Sequence, residues 1–244
     1  MDRFQFFSQL PRNEPGGVSF TSAYLGAVQV RATDRILDLR CGGGDRSVWV
    51  ARSRGCEVVC VDEDPRFLSI LNKNAYESGA GDKIFGVASR YDTLPFTEDS
   101  FPLVIAEWAA VRLGLEQSIK AWRTLVPVSG HIAISYPGVV NRDAPQEVRS
   151  ALEDRMVEPL STLADYQETI RSNGYEIVHQ TPLLNALWER FYADSLRHAW
   201  STIANGEASP EDPVVTSVIR EAEWFHTVGR GRVFLQAMLL RRII

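Results

Sequence analysis

Between residues 35 and 136, short runs of Val, Ile and Leu alternate with amphipathic stretches, and nothing else in the 244-residue chain narrows its fold as much. The runs Arg35–Leu39, Glu57–Val61, Lys83–Ala88, Phe101–Ala106 and Gly130–Ser135 are five or six residues long and mostly continuous in apolar character. Strands buried on both faces have that composition, whereas strands with one wet face alternate. The stretches between them, Asp45–Arg54, Pro65–Ser78 and Leu115–Leu125, have helical period, and Pro65 suits a first helical turn. Repeated strand–helix–strand units predict a parallel sheet with helices on both faces.

Past Ser135 the pattern changes. Asp143–Asp154 and Leu163–Ser172 read as helices, Gly174–Gln180 as a sixth strand and Arg232–Leu240 as a seventh. The connection between the last two is too long for an ordinary loop. It carries Leu187, Trp188, Phe191, Tyr192, Leu196, Ala199 and Trp200 at helical spacing, so residues 183–229 are expected to form a helical cap. Its apolar stripe packs on the sheet or closes over a substrate; the sequence leaves both open. At the other end, Pro11–Gly17 interrupts two short helical segments, and residues 1–30 are expected to be a leader flanking the ligand cleft. The expectation is a single domain over residues 1–244.

Composition excludes several classes. With 45% apolar and 23% charged residues, the chain has enough material for a core. No apolar run approaches the roughly 20 residues of a membrane helix, since Val233–Leu240 is broken by Gln236. The opening Met1–Leu10 lacks the basic lead and apolar core of a secretory signal, so a cytoplasmic location is expected. Cys41, Cys56 and Cys60 are odd in number and lack CxxC spacing, which predicts reduced thiols and no metal site. A net charge of −5 offers no general attraction to nucleic acid, and no membrane partner is expected.

The chemistry is concentrated in Ile36-Leu-Asp-Leu-Arg-Cys-Gly-Gly-Gly44, a strand running into a glycine turn that opens a helix. Glycines at such a turn let backbone N–H groups approach a ligand closely. At the end of the second strand, Asp62 is placed to accept both hydroxyls of an adenosine ribose. Turn, acid and strand–helix–strand context together indicate nucleoside binding. The spacing Gly42-Gly43-Gly44 is not GxGxxG, which weighs against a nicotinamide dehydrogenase.

At these residues the chain resembles the class I S-adenosylmethionine-dependent methyltransferases, whose first motif reads approximately hhDhGCGxG. The resemblance continues through Val61-Asp62, through Tyr91-Asp92-Thr-Leu-Pro-Phe-Thr-Glu-Asp-Ser-Phe101, similar to "LPF…D.SFD", and through Leu125-Val-Pro-Val-Ser-Gly130, similar to "LKPGG". A looser likeness of the leader and tail points to the small-molecule branch. The resemblance implies a Rossmann-like, doubly wound α/β fold whose seven-stranded, mostly parallel sheet has the order 3-2-1-4-5-7-6, strand seven antiparallel. It implies S-adenosylmethionine as cofactor and S-adenosylhomocysteine as product. Asp38 would orient the turn and reach the ammonium; Arg40, Cys41, Gly42 and Gly44 would surround the amino-acid part. Asp62 would hold the ribose, and Glu63, Tyr91 and Asp92 would lie by the adenine. Glu107 would face the sulfonium.

Methyl transfer mainly requires alignment, because the sulfonium methyl is already electrophilic. Where a base is needed, Glu107, Tyr136, His198 and His226 are the candidates, while His131 and His179 read as strand packing residues. Arg40 is the chief departure, standing where the family has glycine. It pairs with the cofactor carboxylate, marks a scaffold with altered cofactor use, or is a substitution peculiar to this chain. A small-molecule methyltransferase is the leading reading. A cyclase or lyase-like enzyme on the same fold and a non-catalytic partner subunit are the alternatives. The acceptor and the oligomeric state are not encoded legibly.

Overall fold

In the computed structural model, which describes all 244 residues, the strands are β1 (Arg35–Leu39), β2 (Glu57–Asp62), β3 (Ile84–Ala88), β4 (Leu103–Glu107), β5 (His131–Val139), β6 (Tyr175–Pro182) and β7 (Val233–Arg242). They form one sheet in the order β3-β2-β1-β4-β5-β7-β6. β7 runs antiparallel to both of its neighbours and the other pairings are parallel. Both the strand order and the antiparallel seventh strand match expectation. The helices are α1 (Arg3–Phe7), α2 (Val18–Leu25), α3 (Asp45–Arg54), α4 (Pro65–Glu77), α5 (Leu115–Trp122), α6 (Gln146–Glu153), α7 (Leu163–Ser172), α8 (Asn185–Ala204) and α9 (Pro213–Trp224).

Burial explains the composition of the strands. β4 is buried at every position and β1 at all but its first, so a continuous apolar run is what their surroundings demand. A core of 59 buried residues reaches from Phe6 and Phe7 in the leader, through the sheet, to Trp188 and Phe225 in the cap. Within the cap, Trp188 stacks on Phe225 at 5.3 Å and on Tyr192 at 6.0 Å, and meets Trp108 edge-on. The aromatic stripe is not uniform, however: Trp200 is 56% exposed on the outer face of α8.

Several boundaries differ from the sequence reading for identifiable reasons. β4 starts after Pro102, which has no N–H to give to a ladder, and extends to place Glu107 at its last position. β5 continues to Val139 because β7 pairs with it along its whole length, Pro137 opposite Leu235 and Gly138 opposite Phe234. The helix expected to run to Leu125 gives way after Trp122 to a 3₁₀ turn over Arg123–Leu125, and α6 begins only after Pro145.

The turn between β1 and α3 depends on Gly44, which has φ +85° at the helix N-cap, with the α4 side chain Leu71 directly over it. An added Cβ would stand 2.1 Å from Leu71 Cδ1. Gly44→Ala is therefore expected to lower stability by about 2 kcal/mol or more, from the left-handed backbone and the displaced Leu71 together. Urea unfolding would check this; a midpoint equal to wild type would show that the turn tolerates a side chain.

Candidate functional site

Strand order reverses between β1 and β4, and in open α/β sheets ligands bind outside the carboxyl ends of the strands at that reversal. A cavity of about 470 Å³ lies there. Its floor is the Arg40–Arg46 turn, Asp62 at the end of β2, Tyr91 after β3 and Glu107 at the end of β4; its roof is the leader, including Arg3, Phe7, Arg12 and Glu14.

Gly42 has φ +54° and aims its N–H at Asp62 Oδ2, 3.0 Å away, while the Asp64 N–H donates to Oδ1 at 3.1 Å. Those two bonds fix the carboxylate and leave each oxygen a further lone pair toward the cavity. Burial pushes the Asp62 carboxyl up from its usual range, against the two backbone donors. Asp64 has a separate task, capping α4 through the Arg66 N–H. Cys41 and Tyr91 also face the cavity. Burial raises the Tyr91 phenol, and its carbonyl accepts the Trp122 indole N–H at 2.7 Å.

The centre of the site is Arg46, in the first turn of α3. Its guanidinium donates to Asp38 (2.8 Å from Nη2 to Oδ1), to Glu14 (3.3 Å) and to Glu107 (3.2 Å). Ser47 adds a hydroxyl to Asp38. Glu107 in turn accepts from Thr21 Oγ1 at 2.7 Å and Tyr24 Oη at 2.6 Å, both on α2. Arg40, with φ +60°, turns its guanidinium to Glu14, 2.7 Å away. Three carboxylates thus share two guanidiniums in ion-pair contact, a surplus of one negative charge in a poorly hydrated place. The outcome is seen at Glu14, whose carboxyl burial pushes up to about 7 although Arg40 and Arg46 both oppose the shift.

Among the residues the sequence singled out, Arg40, Cys41, Gly42, Gly44, Asp62, Tyr91 and Glu107 surround the cavity. Asp38 lies beneath it, fully buried under Arg46 and Ser47. Glu63 is exposed beyond its edge, and Asp92 pairs with Arg90 at 2.6 Å. Tyr136 does not reach the cavity: its hydroxyl donates to Glu158 at 2.6 Å, and its ring meets Tyr166 edge-on. His198 packs on Phe6 of the leader, 4.7 Å between ring centroids, and His226 is exposed past α9.

Sequence reasoning missed Arg46, Glu14, Thr21, Tyr24 and Trp108. Arg46 left a trace, since a cation in the first turn of a helix opposes the helix dipole and calls for anions nearby. Trp108 left none. It has φ +58°, is buried, and donates its indole N–H to the Pro15 carbonyl at 3.2 Å, fastening the leader to the end of β4. Backbone strain of this kind concentrates at functional sites.

Comparison with known proteins agrees with this geometry. Residues 36–128 match the family described as "Methyltransferase domain". An uncharacterized protein of Haemophilus influenzae is 28% identical over 110 residues, 45% of this chain and 44% of that one. The 27-O-demethylrifamycin SV methyltransferase of Amycolatopsis mediterranei is 24% identical over 177 residues, 67% of this chain and 61% of that one. The chain thus spans about half the length of these relatives. In fold it matches the S-adenosylmethionine-dependent methyltransferase of Geobacter sulfurreducens, solved with S-adenosylhomocysteine, at a TM-score of 0.85 and 17% identity over 99% of this chain and 98% of that one. Residues 36–128 thus resemble a methyltransferase domain, and the fold of the chain is the one seen in solved S-adenosylmethionine-dependent methyltransferases. No helix is long and apolar enough to cross a membrane.

Two outcomes are expected of the charged cluster. Arg46→Leu leaves buried carboxylates without a partner and should cost about 3–5 kcal/mol in denaturant unfolding; a loss under 1 kcal/mol would show that the cluster is not held by this cation. Glu14 binds its proton more tightly folded than unfolded, so its contribution to stability is greatest below pH 4.5 and is lost as pH rises toward about 7. Thermal midpoints measured across that window should fall by the equivalent of roughly 2 kcal/mol more in wild type than in Glu14→Gln. Parallel curves would refute it.

Proposed function

We propose that this chain binds S-adenosylmethionine in the cavity at the ends of β1, β2 and β4 and directs methyl transfer to a small-molecule acceptor. The observation that supports it most is the surplus carboxylate of the Asp38–Glu14–Glu107 cluster beside the glycine turn. A ligand with an ammonium and a sulfonium against one carboxylate has a net charge of +1, the complement of that surplus. Asp62, with lone pairs free at the other end of the same floor, suits the two ribose hydroxyls.

When bound, S-adenosylmethionine supplies a methyl group already activated by its sulfonium, so the protein's work is alignment and exclusion of water. Asp62 orients the nucleoside end. Gly42 and Gly44 let the backbone close in, and Asn13 of the leader covers Gly42. Glu107, held at Oε1 by Thr21 and Tyr24 and at Oε2 by Arg46, is a fixed negative charge and a positioning group, with one Oε2 lone pair left uncommitted. Tyr136 and His198, bound outside the cavity, take no proton there in this arrangement. The leader over residues 1–30 and the cap over residues 183–229 act with the sheet as one unit, in a cytoplasmic setting. A non-polymeric acceptor suits a cavity roofed by the leader, and the Amycolatopsis relative is named as a methyltransferase of 27-O-demethylrifamycin SV.

Calorimetry with S-adenosylmethionine and S-adenosylhomocysteine tests the reading, and failure of both to bind would overturn it. Binding with no transfer to any acceptor would favour other chemistry on the same fold. Asp62→Ala should weaken S-adenosylhomocysteine binding by about 1.5–3 kcal/mol, the range for hydrogen bonds to a charged group. Asp64→Ala, which removes the α4 cap, should instead cost about 1 kcal/mol of stability. An unchanged dissociation constant in a folded Asp62→Ala protein would dismiss Asp62 as the ribose anchor.

A further inference from the structure

Four arginines face the cavity, and they divide into two kinds. Arg40 and Arg46 are committed to carboxylates at 2.7–3.3 Å. Arg3 and Arg12 have no acidic partner within ion-pair distance. Arg12 donates to the Gly16 carbonyl and keeps its Nε buried without a partner; Asp45 feels its charge but stands beyond contact. Arg3 lies over the Phe7 ring at 4.8 Å, on a helix that packs against α9 of the cap. Arg3 is exposed to solvent at the edge of the cavity, where the packing around its guanidinium lowers its affinity for a proton and repulsion from Arg155, Arg40 and Arg112 lowers it further. The nearby acid Glu221 offers little relief, because it is already engaged by Arg155 and by the Tyr192 hydroxyl.

Unpaired guanidiniums converging on one cavity in a chain of net charge −5 call for anions. The cofactor answers only part of that demand, since it has one carboxylate, and the fork of a single guanidinium can saturate both its oxygens. At least one of the two arginines is left over. Arg3 is the one at the junction of leader and cap, where Phe7 separates the cofactor cavity from the aromatic side chains Phe191 and Tyr192.

We infer that the acceptor is an anionic small molecule, bearing a carboxylate or phosphate group held by Arg3 at the junction of leader and cap, with its apolar part against Phe7. This deepens the methyltransferase reading and rests on it for the identity of the cavity. It also suits the acidic protein: the selectivity comes from local unpaired cations, with no field of the whole molecule attracting polyanions.

The test uses matched probes of nearly equal shape: phenylacetate, its neutral counterpart phenylacetamide, and benzyl phosphate. Binding is followed by ligand-observed NMR in the full-length protein, with and without S-adenosylhomocysteine. Either or both anions should bind roughly tenfold more tightly than the amide, the lower range for a charge-assisted contact at a partly exposed site. Whichever binds identifies the anionic group. Arg3→Gln should bring that ratio close to one, and Arg3→Lys should restore part of it. Damage to the fold would lower anion and amide alike and leave the ratio unchanged. Equal binding of anions and amide by wild type, or a ratio that survives Arg3→Gln, would overturn the inference. Failure of S-adenosylhomocysteine to bind is read from its own signals and would count against the cofactor reading alone.

Discussion

The buried guanidinium of Arg46 is the contact on which the rest of the site depends. It sits on α3, yet its partners come from β1, β4 and the leader, so one side chain fixes four segments relative to one another. Removing charges from water is costly, and the arrangement is tolerable only because each carboxylate also has other donors: Ser47 at Asp38, Thr21 and Tyr24 at Glu107, Arg40 at Glu14. The cluster holds three carboxylates against two guanidiniums beside the glycine turn.

The leader is held over the cavity by contacts of different chemistry. Trp108 grips the Pro15 carbonyl, Arg40 grips Glu14, and Phe6 rests on His198 of the cap. Arg40 and Trp108 adopt left-handed backbone, which costs side-chain-bearing residues of order 1–3 kcal/mol each. The turn after β1 keeps the left-handed shape that a glycine would adopt freely, and the Arg side chain is compensated by its ion pair to the leader. Arg40 is therefore bonded to the roof of the site. It neither fills the floor nor leaves it.

Leader and cap also meet one another, with α1 against α9 and Phe7 between the two sets of aromatic side chains. Residues 36–128, the stretch that matches the family model, hold the glycine turn and Asp62, while Arg3, Arg12 and Glu14 lie outside it.

What the sequence determined by itself is whatever neighbouring residues decide. Continuous apolar runs marked β1, β2, β4 and β5 because strands buried on both faces admit little else, while β3, at the sheet edge, is mostly exposed; the Gly42-Gly43-Gly44 turn followed by Asp62 pointed to a nucleoside site because backbone approach and a strand-end acid are local features. Boundaries such as the end of β5 were set by a partner strand some hundred residues away, which no local period reports. Glu107 was legible as a strand-end acid, but not that Thr21, Tyr24 and Arg46 donate to it, from separations of 86, 83 and 61 residues. The same holds for Arg40, whose partner Glu14 lies 26 residues earlier in a Pro/Gly-rich linker without periodicity. Ion pairs of this kind form where desolvation leaves a charge no other recourse, and only the tertiary structure decides which charges lose their water together.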